Sequence, residues 1–124
     1  MSIPMPTRPP ARGVPRLVAA LGHSLRGLRA TWRSEAAFRL ETRLALVVVP
    51  AVWWCVPAPS WRALLLVTLG LVFVVELLNT AVEAAIDRIG PERHPLSGKA
   101  KDAGSAAVTV SLLLHGAVWA CVPW

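Results

Sequence analysis

ALLLVTLGLVFVVELLNTAVEAAID, residues 63–87, sets an uncharged run, Ala63 to Val75, ahead of four polar side chains, Glu76, Asn79, Glu83 and Asp87. At about 100° per residue those four fall within roughly 80° of one another on a helix, so one apolar cylinder carries one polar stripe. A carboxylate at membrane depth costs roughly 2.5–3.5 kcal/mol on insertion scales. A chain seldom carries that cost unless the group meets an ion, a proton or a substrate. The stripe is therefore the expected seat of chemistry.

Outward from that stretch, the chain reads as an all-α membrane protein. Of its 124 residues, 55% are hydrophobic, a mixture that suits a small integral membrane protein better than a soluble domain. Three segments are long enough to span, residues 36–56, 61–82 and 103–124; each holds roughly 20 residues, enough at 1.5 Å per residue to cross a hydrocarbon core of about 30 Å. The first opens on Arg39, Glu41 and Arg43, which are placed at the interface, where arginine snorkels. Ahead of it, residues 16–33 alternate as an amphipathic helix lying on the membrane. Leu17, Leu21, Leu25, Leu28 and Trp32 form one face, and Arg26, Arg29 and Arg33 turn to the headgroups. Residues 1–15 carry Pro4, Pro6, Pro9, Pro10 and Pro15 and no apolar run, so they read as a disordered cytoplasmic tail rather than a signal peptide.

The charge of +6 is unevenly placed. Six arginines precede the first acidic residue, Glu35, and Arg88, Arg93, Lys99 and Lys101 lie between the second and third spans. The link Pro57 to Ser60 has no charge and the C-terminus no basic residue. By the positive-inside rule the N-terminus and the second connection are cytoplasmic and the C-terminus faces outward. Trp53, Trp54, Trp61, Trp119 and Trp124 suit an aromatic belt on the outer side. With no soluble domain to present a groove, nucleic-acid binding is set aside despite the basic balance. Cys55 and Cys121 fall near the outer leaflet and are expected to be buried, unpaired thiols.

Ser60 is the expected N-cap of the second spanning helix, and Gly90-Pro91 its stop. Glu76 then lies about 20 Å from the outer face, with Glu83 and Asp87 near or beyond the cytoplasmic boundary. The third spanning helix is expected to open at Lys101-Asp102 and to pack closely through Ala100/Gly104 and Ala103/Ala107. Three short helices cannot enclose a site with several charges, so more than one copy is expected to assemble.

No phosphate loop, HExxH, CxxC or GxSxG occurs, so phosphate chemistry would rest on side chains. Glu35 and Glu83 approach one interface, and carboxylates together with phosphate oxygens are the usual means of holding Mg²⁺. Arg16, Lys101 and Arg93 are cations for phosphate oxygens. Glu76, deeper, is placed to accept a proton from an alcohol, and Asn79 to orient the same substrate or metal. This constellation fits phosphoryl transfer from a Mg-nucleotide to a membrane-embedded hydroxyl. It equally fits an ion- or proton-coupled transporter, or a structural subunit whose polar groups glue helices together.

The string Glu76-Leu-Leu-Asn-Thr-Ala-Val-Glu83, then Asp87-Arg-Ile-Gly and His94-Pro-Leu-Ser-Gly-Lys-Ala-Lys-Asp102, resembles the signature of the bacterial, membrane-integral diacylglycerol kinase family. Trp32-Arg-Ser-Glu35-Ala-Ala-Phe-Arg39 agrees with it, and the likeness runs from about Arg16 to Trp124. The resemblance implies a homotrimer of three-span subunits with a surface helix, and composite sites between neighbours. It implies ATP-dependent phosphorylation of 1,2-diacylglycerol to phosphatidic acid, with Mg²⁺ and no phosphoenzyme. By position it places the general base on Glu76 and metal carboxylates on Glu35 and Glu83. Nucleotide contacts fall on Arg16, His23, Glu35, Glu83, Glu92, Arg93, His94, Lys101 and Asp102. Asn79 and Ser105 line the site. The lipid passes near Ala20, Ser24 and Leu25, Arg29 and Trp32, and Ala37 and Glu41. The chain departs from the enterobacterial form at His23 and Arg93, where that form has tyrosines. Undecaprenol kinase is a sister activity in the same family; Asp87-Arg-Ile-Gly and Lys-Asp-x-Gly-Ser-Ala-Ala lean to the diacylglycerol branch.

Plainer roles stand beside these. Lys101 and Asp102 suit a charge pair capping the third spanning helix, His94 a loop residue at headgroup level, and Glu41 a surface partner for Arg39. His115 is expected to hydrogen-bond within the bundle.

Overall fold

The computed structural model describes residues 12–124, and among them the chain is helical throughout apart from its turns. Four helices follow in order: α1 Val14–Ser34, α2 Ala36–Cys55, α3 Pro59–Ile89 and α4 Pro95–Cys121. The all-α expectation holds. Most of the expected tail lies outside the described residues, but Val14 and Pro15 already belong to α1. Proline at a first turn gives up an N–H that has no intrahelical partner, and its fixed φ suits the helix.

Both α3 and α4 are long and apolar enough to cross a membrane. In α2 the charges of Arg39, Glu41 and Arg43 break the apolar run before Leu44. α1 and α2 part at Glu35, whose backbone is extended (φ −105°, ψ 112°). Arg39 stabilises that corner: its Nη1 donates to the Trp32 and Arg33 carbonyls, 2.7 and 3.1 Å away. These belong to the last turn of α1, where carbonyls lack helical partners. Arg39 is therefore not paired with Glu41, contrary to the sequence expectation.

The helix ends correct three further expectations. Ser60 does not cap α3; the helix opens on Pro59 with Ala58 as N-cap and no side-chain bond. α3 stops where expected, at Gly90, whose φ of +155° and ψ of 169° suit glycine alone. α4 opens at Pro95 rather than at Lys101-Asp102, because His94 Nδ1 accepts the Leu96 N–H at 3.1 Å and caps the helix. Lys101 and Asp102 consequently sit a full turn or more inside α4 and cap nothing.

The most extensive packing is between α3 and α4. Val52, Val56, Leu65 and Val122 form a buried cluster, flanked by Trp61, Val118 and Trp119. At the same end Arg62 donates from Nε to the Val56 carbonyl at 2.6 Å, and its guanidinium stands 5.6 Å over the Trp53 ring. Trp119 stacks on Trp124 at 6.0 Å, so tryptophans expected in one belt do gather at one end. Cys55 and Cys121 are free but exposed rather than buried; in the single chain their helices turn them away from the cluster.

Midway along the pair, His115 is bonded at both ring nitrogens. The Trp119 indole N–H donates to Nε2 at 3.0 Å, which leaves the neutral ring its proton on Nδ1, 2.9 Å from Thr68 Oγ1. The Thr68 hydroxyl in turn lies 3.0 Å from the Leu64 carbonyl. Every polar atom of this trio is satisfied inside the helix pair, as hydrocarbon demands.

Among the described residues six hydrophobic side chains are buried, while long faces of leucine, valine and tryptophan are exposed. That surface needs lipid or further copies around it. Lipid is as apolar as leucine, so α3 and α4 hold together through close approach and polar bonds. Gly104 permits that approach: a Cβ built there would fall on the Asn79 amide oxygen. Gly104→Ala is expected to destabilise the protein by about 1–3 kcal/mol through overpacking, seen as a lower unfolding midpoint in detergent. An unchanged midpoint would mean the helices are not so closely apposed.

Candidate active site

Glu76 is the one buried acidic residue among the described residues, only 6% exposed. It sits on the C-terminal half of α3, a turn past Phe73, whose ring meets Phe38 of α2 edge-on with centroids 5.6 Å apart. Glu41 stands on α2 a turn past Phe38. Glu41 Oε2 is buried there without a hydrogen-bond partner.

One turn beyond Glu76, the Asn79 Nδ2 donates to Glu83 Oε1 at 3.3 Å. Its Oδ1 is buried against Gly104 and has no partner. One turn further, Asp87 accepts from Lys101 Nζ of α4 at 2.6 Å. That hydrogen bond, with the charges of Asp87 and Glu83, raises the Lys101 pKa above its ordinary value despite some opposing desolvation, so the ammonium stays charged at any physiological pH. The stripe expected from the sequence thus exists as an ordered sequence along α3: a buried carboxyl, an amide–carboxylate pair, then an ion pair.

The ion pair opens into a cavity of about 600 Å³ at the α3–α4 turn, lined by Asp87, Gly90, Glu92, Arg93, His94 and Lys101. Gly90 is required here for its backbone conformation, and the exposed Glu92 carboxylate lies beside its Cα. Four of the residues expected to touch nucleotide, Glu92, Arg93, His94 and Lys101, therefore share one wall. A second, more apolar cavity of about 580 Å³ lies between α1, α2 and α3, with Arg29 and Trp32 beside Phe38 and Phe73. Ser24 lies in a third, against Leu77 and Thr80 of α3.

Other expected site residues are not gathered by the single chain. Arg16, His23, Ala20 and Leu25 are exposed on the first half of α1, where His23 Nδ1 lies 2.6 Å from Arg26 Nη2. Ala37, Asp102 and Ser105 are also exposed. Glu35 lies at the α1–α2 corner, and no cluster of three or more His, Cys, Asp or Glu side chains fit for a metal forms among the described residues. Two features escaped the sequence reading: the buried, unpartnered Glu41 oxygen, and the Asp87–Lys101 bond. The first depends on packing between helices and left no local signal. The second was signalled by Asp87 continuing the stripe.

The model of the prokaryotic diacylglycerol kinase family matches residues 22–123. A protein named diacylglycerol kinase from Escherichia coli is 48% identical over 113 residues, covering 90% of this chain and 92% of that one. Its namesake from Pseudomonas aeruginosa is 44% identical over 110 residues, 89% of each chain. Another from Haemophilus influenzae is 42% identical over 107 residues, 86% of this chain and 91% of its own. With a matching family model over most of its length and relatives of this similarity, the chain belongs to the prokaryotic diacylglycerol kinase family.

Proposed function

We propose that the chain transfers the γ-phosphoryl group of ATP directly to the free hydroxyl of 1,2-diacylglycerol, giving phosphatidic acid at the cytoplasmic face of a bacterial inner membrane. The observation that carries this reading is the ordered polar stripe on α3, running from buried Glu76 to the charged cavity beside Lys101. Glu76 to Asp87 covers about 16 Å of helix axis. A nucleotide lying along that length has its base and sugar at the α3–α4 turn and its terminal phosphate toward Glu76. The apolar cavity beside Trp32, Phe38 and Phe73 lies on the lipid side of the same carboxyl. Family membership favours this enzyme over the transporter that the residues alone left open.

In this mechanism Lys101 meets the phosphates, and Glu92, Arg93 and His94 hold the rest of the nucleotide at the α3–α4 turn. Glu83 and the unpartnered Asn79 oxygen suit Mg²⁺, which binds through one or two carboxylates plus substrate phosphates rather than a closed protein cage. Glu35 supplies a further carboxylate from the α1–α2 corner. The bound ion would screen the charge of the phosphate oxygens. Glu76 accepts the lipid hydroxyl proton as the oxygen attacks phosphorus. Arg16, His23, Asp102 and Ser105, exposed in one chain, meet ligands at the joints of a homotrimer with three spans per subunit, its N-terminus cytoplasmic and C-terminus periplasmic. The exposed apolar faces support assembly.

Turnover of a lipid panel by purified protein tests the substrate: dioctanoylglycerol is expected to be phosphorylated faster than a polyprenol, and the reverse order would make the chain an undecaprenol kinase. Glu76→Gln, which keeps shape and removes the base, is expected to lower kcat about a hundredfold or more with the assembly intact. A near-normal rate would remove its role. Glu83→Ala is expected to weaken Mg-nucleotide binding about tenfold, and nucleotide titration at unchanged affinity would contradict it.

A further inference from the structure

We propose that Asp87 is a positioning residue that acts through Lys101, its carboxylate holding the ammonium at the α3–α4 cavity so that nucleotide phosphates meet a cation already in place. The inference rests on Lys101 being a phosphate contact in the reading above. It goes beyond that reading by giving a task to Asp87, which the mechanism leaves unused.

The ion pair itself is the starting observation. Lys101 Nζ donates to Asp87 Oδ1 at 2.6 Å, joining α4 to α3 at the wall of the cavity of about 600 Å³ that both residues line. Stability does not account for the pair. The Lys101 and Asp87 side chains are 43% and 68% exposed, and ion pairs in water contribute little to folding. The two helices are already fixed by the Thr68–His115–Trp119 bonds and by Gly104 against Asn79. Asp87 also stands in the last turn of α3, the negative end of a helix, where aligned peptide dipoles disfavour an anion. An acid that disfavours its own helix, and lines a cavity proposed for phosphates, is out of place unless it holds the lysine.

A lysine gains from such a hold. Its ammonium is a strongly hydrated point charge on a flexible stem, with three N–H donors. Asp87 takes one of these and leaves two for phosphate oxygens. Without the tether the stem samples many rotamers, and ordering it opposes nucleotide binding. Protein kinases use the same device, a glutamate on a neighbouring helix holding the phosphate-binding lysine. Among the described residues Asp87–Lys101 is the one ion pair, so no second cation competes for this carboxylate. Asp87 touches neither nucleotide nor metal in this scheme. Charge repulsion alone would act in the opposite direction: an anion removed from the cavity would let ATP bind more tightly.

Steady-state kinetics of the full-length assembled protein, varying MgATP and dioctanoylglycerol in turn, distinguish the two. Asp87→Asn, nearly isosteric, is expected to raise the KM for MgATP about tenfold, with kcat and the KM for dioctanoylglycerol unchanged within about twofold. Asp87→Glu, which restores the carboxylate, is expected to return the KM for MgATP to within about threefold of the starting protein. In a Lys101→Met background, Asp87→Asn is expected to change that KM by less than about twofold, because the carboxylate acts only through the ammonium. A lowered or unchanged KM for MgATP in Asp87→Asn, or an equal loss with and without Lys101, would overturn the proposal. So would a loss that excess Mg²⁺ reverses, which is the behaviour of a metal ligand. A normal KM for MgATP in Lys101→Met alone would instead overturn the reading of Lys101 as a phosphate contact. If Asp87→Asn fails to assemble, Asp87→Ala carries the same test with the same expectations.

Discussion

Acid groups placed where hydrocarbon begins constrain everything else in this chain. A carboxylate there must be matched by a partner or relieved by chemistry, and each one on α3 is dealt with differently. Asp87, nearest water, takes Lys101. Glu83 takes the Asn79 amide. Glu76 is buried, with no cation bonded to it among the described residues. Compensation thus falls along α3 from Asp87 to Glu76, and the least compensated carboxyl lies where the lipid hydroxyl is proposed to arrive.

Holding that gradient in place is the business of the helix packing. Phe38 against Phe73 sets α2 on α3. Gly104 lets α4 approach Asn79, and the same approach brings Lys101 to Asp87. Far from the charged end, the Thr68–His115–Trp119 trio and the Val52–Leu65–Val122 cluster fix the other half of the bundle. Arg39 ties α1 to α2 through two carbonyls that a helix end leaves unpaired. Membrane packing of this kind depends on small residues and polar bonds more than on apolar burial.

Much of this could be read from residues in order. The apolar run into Glu76, the four-residue stripe and the Gly90 stop are local patterns of period, depth and backbone freedom, and they appear in the structure as expected. The small residues around Gly104 signalled close packing, and Gly104 is where α4 meets Asn79. His115 was expected to bond within the bundle and does. What sequence order could not carry was partnership between helices. Glu41 looked like a surface mate for Arg39 because the two are close in sequence, yet the helix corner claims Arg39 and a Glu41 oxygen is buried without a partner. The start of α4 was misplaced because Lys101-Asp102 looks like a charged helix opening, while His94 and Pro95 supply a cap and a first turn without any charge. Ser60 is no cap because α3 already opens on Pro59, with Ala58 as N-cap. Arg16, His23 and Asp102 are exposed in one chain, so their expected contacts depend on neighbours that a single sequence does not position.

The central claim is that a nucleotide-bound cation and the hydroxyl of a bilayer lipid meet beside Glu76 and Glu83. Mn²⁺ bound in place of Mg²⁺ with a non-hydrolysable ATP analogue tests it, read by its relaxation of a ¹³C label on the hydroxymethyl carbon of dioctanoylglycerol. Strong, nucleotide-dependent broadening that is lost in Glu83→Ala is expected. A label left sharp while Mn-nucleotide is fully bound would place the two substrates apart and contradict the account.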